Sequence, residues 1–271
     1  MTKRKIIGVY FLFFLLGVVL AYGHGLYSHY KDTLAKMHVK EDAESGMNPE
    51  TSKKEEEPFA FLLFGISEAS PPDTFILALI DVELQKVQLI SVPRDSYVDI
   101  PGYRKDKINS AYSKGGASLL RKTLENWLGV KIAGYASINY QGFIDLVNII
   151  DGLNVNVSRD MQYDDPVNGT HINIKKGQQV LDGQKALDFV RFRQSNDGNH
   201  ASDYDRMERQ QTALKILADK LISIKSLSRY QEILNILSSN IKTTLTVEEI
   251  NLLIRKFYSF DTKNLQTSSI M

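Results

Sequence analysis

The sequence predicts an α/β domain, with helices covering a sheet, carried behind an N-terminal transmembrane helix. Three observations predict this. Residues 6–23, IIGVYFLFFLLGVVLAYG, contain no charge. Three apolar runs, 59–66, 74–81 and 86–93, then follow at short spacing, as strands buried on both faces do. Beyond them, strand-like segments alternate with helical periodicity, the pattern of a sheet layered with helices.

Taken in order, residues 1–5, MTKRK, form a basic tip. The 18 residues of the run 6–23 would span about 27 Å as a helix, close to the ~30 Å hydrocarbon thickness of a bilayer. Lys3, Arg4 and Lys5 put the tip in the cytoplasm and the remainder outside the cell membrane. The alternative is a cleaved signal peptide, for which Ala21-Tyr22-Gly23 is a passable site. The run exceeds the usual apolar region of about 7–15 residues in such peptides, which favours an uncleaved anchor. Residues 24–58 read as a juxtamembrane helix, with Leu26, Tyr30, Leu34 and Met37 at helical spacing, and then a charged stalk over 40–58. The stalk has no aromatic and no β-branched aliphatic residue, so it has little to bury against its ordering entropy.

The extracellular domain is expected from Phe59, its main part over 59–225 and a C-terminal helical part over 226–271. After the three strands, 117–129 reads as a helix stopped by Gly129, 134–140 as a strand and 141–152 as a helix stopped by Gly152. LNVNV (153–157) alternates like a strand. Residues 184–190, 205–224 and 229–241 are helical, and Thr246 with Glu249 forms a capping box for one more helix.

Composition excludes several classes. There is no cysteine among 271 residues, which removes disulfides, thiolate metal sites and Cys nucleophiles. Net charge is +1, and the tip holds three basic residues and no acid, so the remainder carries 30 basic and 32 acidic residues, −2. That is no footing for general nucleic-acid binding. Walker, dinucleotide, nucleophile-elbow and HExxH motifs are absent from the sequence.

The arginines are more informative. Arg191 and Arg193 stand two apart in VRFR, on one face if the chain is extended. Arg206 and Arg209, in DRMERQQ, share a helix face, with Gln210 one turn from Arg206. Arg94 follows an apolar strand in SVPRDS, where α/β folds place ligand groups, and Lys107 follows in KDKINSAY. Converging, these residues would make a set of donors suited to phosphate or pyrophosphate. Taken singly, each Arg is more economically an exposed ion pair. Asp73, in PPDTFILALI, could hold a hard cation alongside substrate phosphates, or cap a turn. Asp203 and Asp205 precede the long helix, and Asp205 reads as its N-cap.

In order, FLLFG, PDT, SVPRDSYVDIPGY, KINSAYSKGG, LDGQKALDFVRFR and SDYDRMERQQ resemble the LytR-CpsA-Psr family of cell-wall ligases, from about Phe59 to about Leu221. The resemblance implies a central mixed sheet flanked by helices on both sides, with an apolar tunnel for a polyprenyl chain. It implies a Mg²⁺-dependent phosphotransferase. Such an enzyme moves an anionic glycopolymer (wall teichoic acid, capsular or secondary wall polysaccharide) from undecaprenyl pyrophosphate to peptidoglycan, working at the membrane lipid surface of a Gram-positive bacterium, with no nucleic acid involved. It puts Arg94, Arg191, Arg193, Arg206 and Arg209 on pyrophosphate-contacting positions, with Lys107 and Gln210 inside the motifs. Asp73 falls on a metal-ligand position, and Asp203 on the acidic position before the second Arg motif, where it orients an Arg or the incoming hydroxyl. Arg94, Asp203 and Arg206 are thereby the candidate catalytic residues.

The first family motif departs here. GISEASPPDT has Ser67 and Ala69 where Asp and Arg are expected, and Pro72 near a second Arg position, in a shorter loop. Glu68 would supply a replacement carboxylate, or Asp73 would hold the metal alone. The departure motivates one other function, a non-catalytic binder of lipid-linked intermediates or regulatory partner of wall synthesis; a further alternative is a polyprenyl-pyrophosphate hydrolase, in which water replaces the sugar hydroxyl. A transcriptional regulator fits worst, because the five-residue tip is too short for a DNA-reading module.

Overall fold

The computed structural model describes residues 28, 30–39, 58–67, 71–165, 170–195, 202–223, 227–257 and 261–270. The apolar run 6–23, Glu68 and the side chain of Asp203 lie outside that description. Among the described residues no helix is long and apolar enough to cross a membrane.

The three apolar runs are the strands β1 (Phe59–Ile66), β2 (Thr74–Asp81) and β3 (Lys86–Val92). β2 is antiparallel to both neighbours, and β1 is parallel to β6 (Ile132–Asn139). The C-terminal part supplies both edges of the sheet. β11 (Ile241–Thr243) pairs antiparallel with β6, and β12 (Leu265–Ser269) pairs parallel with β3. The order β11-β6-β1-β2-β3-β12 is therefore a mixed six-stranded sheet. β1 and β2 read as nearly continuous apolar runs because they sit inside the sheet with both faces covered.

One face carries α2 (Ile108–Leu128), whose Ile108, Ala111, Leu120 and Leu124 pack on Ala60, Leu62, Phe64, Phe75 and Leu77. The helix starts well before residue 117. Gly115 and Gly116 interrupt it with non-helical angles, and Gly116 has φ 64°. A Gly–Gly pair in sequence reads as a boundary, and here it is a kink between two helical halves. Gly129 ends α2 in the left-handed region, φ 67°, as expected of a helix stop.

The opposite face carries α5 (Asp203–Ser223), whose Leu214 packs with Ile76, Ala78 and Leu89. Gln211 Nε2 fastens α5 to the sheet, donating to Ser91 Oγ at 2.8 Å and to the Ser268 carbonyl at 2.6 Å. A second core joins α3 (Tyr140–Ile149), α4 (Gly183–Arg191), α5 and α6 (Leu227–Asn240). It is floored by two ribbons. One pairs β7 (Leu153–Val157) with β10 (Gly177–Leu181), the other β8 (Met161–Asp165) with β9 (Thr170–Ile174). A small hairpin, β4 (Tyr97–Val98) with β5 (Asp106–Lys107), sits between β3 and α2.

The juxtamembrane helix expected within 24–39 is present, but it docks on the domain. Residues 30–37 form a helix, α1, with Leu34 and Met37 buried. The Tyr30 hydroxyl donates to Asn251 Oδ1 at 2.5 Å, on α7 (Val247–Lys256). His38 bridges Thr243 in parallel, and the Val39 N–H donates to the Thr243 carbonyl at 2.8 Å. Residues 30–39 are thus part of the folded unit, and the charged stalk expected over 40–58 lies, but for Pro58, outside the described residues. The physical reason is the apolar stripe of α1, which has a core to join.

Candidate active site

The parallel strands β1 and β6 end together, Ile66 facing Asn139. The chain re-enters β2 beside them, Gly65 facing Thr74, and the last β2–β3 pair is Phe75 with Val92. This brings the ends of β1, β3 and β6 and the start of β2 to one edge, where Asp73, Arg94 and Tyr140 emerge. Carboxyl ends of strands are where open α/β sheets bind ligands.

Asn139 caps α3 by accepting from the Gly142 N–H at 2.7 Å, which fixes Tyr140 in the first turn. The Tyr140 hydroxyl lies 3.4 Å from Asp73 Oδ2, and the Thr74 hydroxyl donates to Asp73 Oδ1 at 3.2 Å. Burial, then the Asp73 charge, push the Tyr140 hydroxyl up to about 12, so it stays a neutral donor. The Arg191 guanidinium stacks over the Tyr140 ring at 4.7 Å. Arg94 acts on the same hydroxyl electrostatically, in the direction that favours the phenolate.

Next to this group, Lys107 Nζ meets Asp95 Oδ1 at 2.8 Å, and Arg94 Nε lies 3.6 Å from Asp95 Oδ2. The Lys107 hydrogen bond holds the Asp95 carboxyl below the ordinary range, with burial opposing and the charges of Arg94, Lys107 and Arg193 assisting. Arg94 Nε is buried, with no hydrogen-bond acceptor among the described residues. The Asp95 carboxylate at 3.6 Å offsets its charge without hydrogen-bonding it, which leaves the donor under-satisfied.

α5 closes the site from above. Its N-cap is Ser202, not Asp205. The Ser202 hydroxyl accepts from the Asp205 N–H at 3.0 Å, and Asp205 Oδ2 accepts from the Ser202 N–H at 2.9 Å, a capping box. Asp205 also pairs with Arg159 at 2.9 Å. Asp203 is the first residue of α5.

Arg206 and Arg209 share the buried face as the spacing predicted, Arg206 being 2% exposed. Arg209 is spent on the fold. Its Nε donates to the Phe189 carbonyl at 2.8 Å and its Nη2 to the Phe192 carbonyl, both at the C-terminus of α4. Burial pulls its guanidinium down to about 10, helped by Arg159 and Arg206 and opposed by Asp205 and Glu208. Gln210 is likewise a strut, donating to Thr74 Oγ1 at 2.9 Å and to the Val190 carbonyl at 3.4 Å.

VRFR is not an extended pair. Arg191 is the last residue of α4, Phe192 is the buried cap, and Arg193 is exposed beyond it. A helix terminus intervenes because Asp182 caps α4 and gives it nine residues of helix. Arg191 meets the group by stacking on Tyr140, and Arg193 acts on Asp95 through its charge. The residues not anticipated are Thr74, Asp95 and Tyr140. Asp95 was legible as the acid following Arg94 in SVPRDS. Tyr140 was legible only as a residue at a strand–helix junction.

Among the described residues, no three Asp, Glu or His side chains cluster as a metal centre. A divalent ion would find one carboxylate, Asp73, which is compatible with Mg²⁺ shared between a protein carboxylate and substrate phosphates. Under α5, Ile76, Ala78 and Leu89 form an apolar seam of packed, buried side chains that continues to the partly buried Ile80 and Val87. It reaches a groove of about 290 Å³ between Ile80, Val87, Leu253 and Phe257 at the other end of the sheet.

Comparisons bear on this geometry. The LytR_cpsA_psr family model matches residues 24–271. A curated relative, the polyisoprenyl-teichoic acid–peptidoglycan teichoic acid transferase TagU of Enterococcus faecalis, is 36% identical over 92% of this chain and 82% of its own. The corresponding TagV of Bacillus subtilis is 30% identical over 98% and 71%. The crystal structure of B. subtilis TagV superposes with a TM-score of 0.65 at 31% identity, covering 80% of this chain and 85% of that one. A structure of TagT bound to LIIa-WTA gives 0.64 at 29% identity, covering 80% and 79%.

Proposed function

The chain belongs to the LytR-CpsA-Psr family, and from that premise we propose that it is a membrane-anchored phosphotransferase. It moves a teichoic acid or related anionic glycopolymer from an undecaprenyl-pyrophosphate carrier to peptidoglycan, on the outer side of the membrane of a Gram-positive cell. The observation that carries the reading is the gathering of Arg94, Lys107 and Arg191, with the charge of Arg193, around Asp73, Asp95 and Tyr140 at one strand edge.

In the reaction, a peptidoglycan hydroxyl, the muramic acid C6 hydroxyl by resemblance, attacks the phosphorus that bears the glycopolymer. The bond from that phosphorus to the bridging oxygen breaks. Undecaprenyl phosphate leaves with the electron pair, and a phosphodiester to peptidoglycan forms. The forked donors of Arg94, Arg191 and Arg193 hold the pyrophosphate oxygens and offset the charge that grows on the leaving phosphate. Buried Arg206 adds positive potential from the first turn of α5. Asp203 orients the incoming hydroxyl and takes its proton. Arg209 and Gln210 position the loop that carries Arg191 and Arg193. Asp73, steadied by Tyr140 and Thr74, is the carboxylate that would hold Mg²⁺, with Glu68 as a second ligand. The ion would supply Lewis-acid charge to the phosphates. The polyprenyl chain lies along the apolar seam under α5. An extracellular enzyme has no ATP supply, and the pyrophosphate donor brings its own driving force.

The test is the full chain in detergent micelles or nanodiscs, with a lipid-pyrophosphate-linked oligosaccharide, peptidoglycan oligomers, and Mg²⁺ or EDTA, read by mass spectrometry. Transfer that EDTA abolishes and Mg²⁺ restores supports the reading. Release of free glycan phosphate without transfer makes the protein a hydrolase. Tight lipid binding with neither makes it the non-catalytic binder that Ser67 and Ala69 suggest.

A further inference from the structure

We propose that the β2–β3 turn, with Leu84 at its tip, and the C-terminal end of α7 form the face that rests on the outer leaflet of the membrane, so that the active site stands at the far end of the sheet. The inference rests on the anchored reading above, with residues 6–23 as the membrane span.

α1 is tied to α7 at both of its ends. Its Tyr30 meets Asn251 in the middle of α7, while His38 Nδ1 donates to the Leu245 carbonyl at 3.1 Å, ahead of α7. The two helices therefore run antiparallel. The chain reaches α1 from the side where α7 ends. That end is joined to the β2–β3 turn: Gln85 Nε2 donates to the Lys256 carbonyl at 2.6 Å, and Lys256 Nζ pairs with Glu83 at 3.4 Å.

Chain length then fixes the distance. Gly23, the last residue of the apolar run, lies seven residues before Tyr30. A fully extended chain of that length spans at most about 25 Å. Since residues 39 and 58 both lie in the described domain, the stretch between them adds no reach. The domain is held against the bilayer, with the end that carries α7's terminus nearest to it.

The chemistry of that end suits a headgroup layer. Leu84 is 60% exposed at the tip of the turn. The apolar groove of Ile80, Val87, Leu253 and Phe257 opens beside it. Lys86, Arg255 and Lys256 are exposed around the tip, with Glu83 already engaged by Lys256. Apolar tips with cationic shoulders partition into the interface, the stems buried and the charges at the phosphates. β2 runs from Thr74 at the site to Asp81 at the turn, eight residues or roughly 23 Å. The pyrophosphate is thus worked on well above the membrane plane, toward the peptidoglycan.

The absence of native cysteine allows a clean test. Leu84→Cys and Lys105→Cys, the latter beside the active-site hairpin, are each labelled with an environment-sensitive fluorophore in the full chain. The proteins are placed in nanodiscs containing phosphatidylglycerol and a lipid-attached quencher. The expected result is blue-shifted, strongly quenched emission at 84 and solvent-like, weakly quenched emission at 105. Equal quenching, or the reverse order, in a chain that resists carbonate extraction from membranes overturns the orientation alone. Release by carbonate overturns the anchor beneath it. Neither readout depends on transfer, so failure of the orientation and failure of the phosphotransferase reading are distinguishable.

Discussion

Replacing Arg209 by Lys separates a positioning arginine from a substrate-binding one. Arg209 holds two carbonyls, Phe189 and Phe192, at the end of α4, where the last helical carbonyls lack partners within the helix. Lysine keeps the charge but has no fork, so it can serve one carbonyl and not both. Losing a charged hydrogen bond to a buried acceptor costs about 1.5–3 kcal/mol. For a domain of this size, each kcal/mol shifts Tm by about 2–4 °C, so Tm should fall by roughly 3–12 °C. Transfer should fall as well, because Arg191 and Arg193 leave from the loosened end of α4. The assay is thermal unfolding by circular dichroism, paired with transfer at a temperature well below both transitions. Arg94→Lys is the contrast. Its Nε makes no hydrogen bond within the described fold, so Tm should stay within about 2 °C while transfer is lost. An unchanged Tm for Arg209→Lys with transfer abolished would refute the argument and make Arg209 a pyrophosphate ligand.

Three further outcomes are expected. Tyr140→Phe removes the hydroxyl 3.4 Å from Asp73 but keeps the ring under Arg191, so transfer should drop by no more than about tenfold, with folding unchanged; a steady-state assay decides. Burial raises the Asp188 carboxyl above its ordinary range, opposed by Gln184 and Arg191, so its cost to the fold builds as pH rises from the ordinary carboxylate value to the raised one and is complete above it. Asp188→Asn should therefore raise Tm at pH 7, and the gain should shrink as pH falls through the carboxylate range; an equal gain at pH 7 and at pH 3 would contradict the burial argument. In Gly134→Ala, the new methyl would overlap Thr244 Oγ1 and sit 3.0 Å from Phe61. That hydroxyl accepts from the Tyr135 N–H at 2.9 Å, so the substitution should cost about 1–3 kcal/mol in chemical denaturation.

Much of the fold was legible because its signals are local. β1, β2 and β3 are apolar enough to be strands in any setting, and Gly129 and the Thr246–Glu249 box mark helix ends through chemistry within four residues. The sheet edges were not legible. β12 reads LQTSS, polar and non-alternating, and is a strand only because β3 offers it a ladder. The start of α2 was hidden behind Gly115–Gly116, and α1 was legible as a helix but not as one docked on the domain, because nothing in 24–39 says which surface it will meet.

Of the site, the sequence by itself determined the residue types and their order: forked cations in short motifs, one acid before β2, and an uncharged run long enough to span a membrane. Those follow from composition and spacing, which chain connectivity preserves. Only the tertiary structure decided which cations face the site and which hold it together. Arg94, Lys107, Arg191 and Arg193 meet around Asp73, Asp95 and Tyr140, while Arg209 and Gln210 turn to backbone carbonyls of α4. The reason is that a guanidinium serves a phosphate and a helix terminus with the same donors. Which of them it meets depends on the neighbours that packing brings within 3 Å, and residues far apart in the chain supply those neighbours.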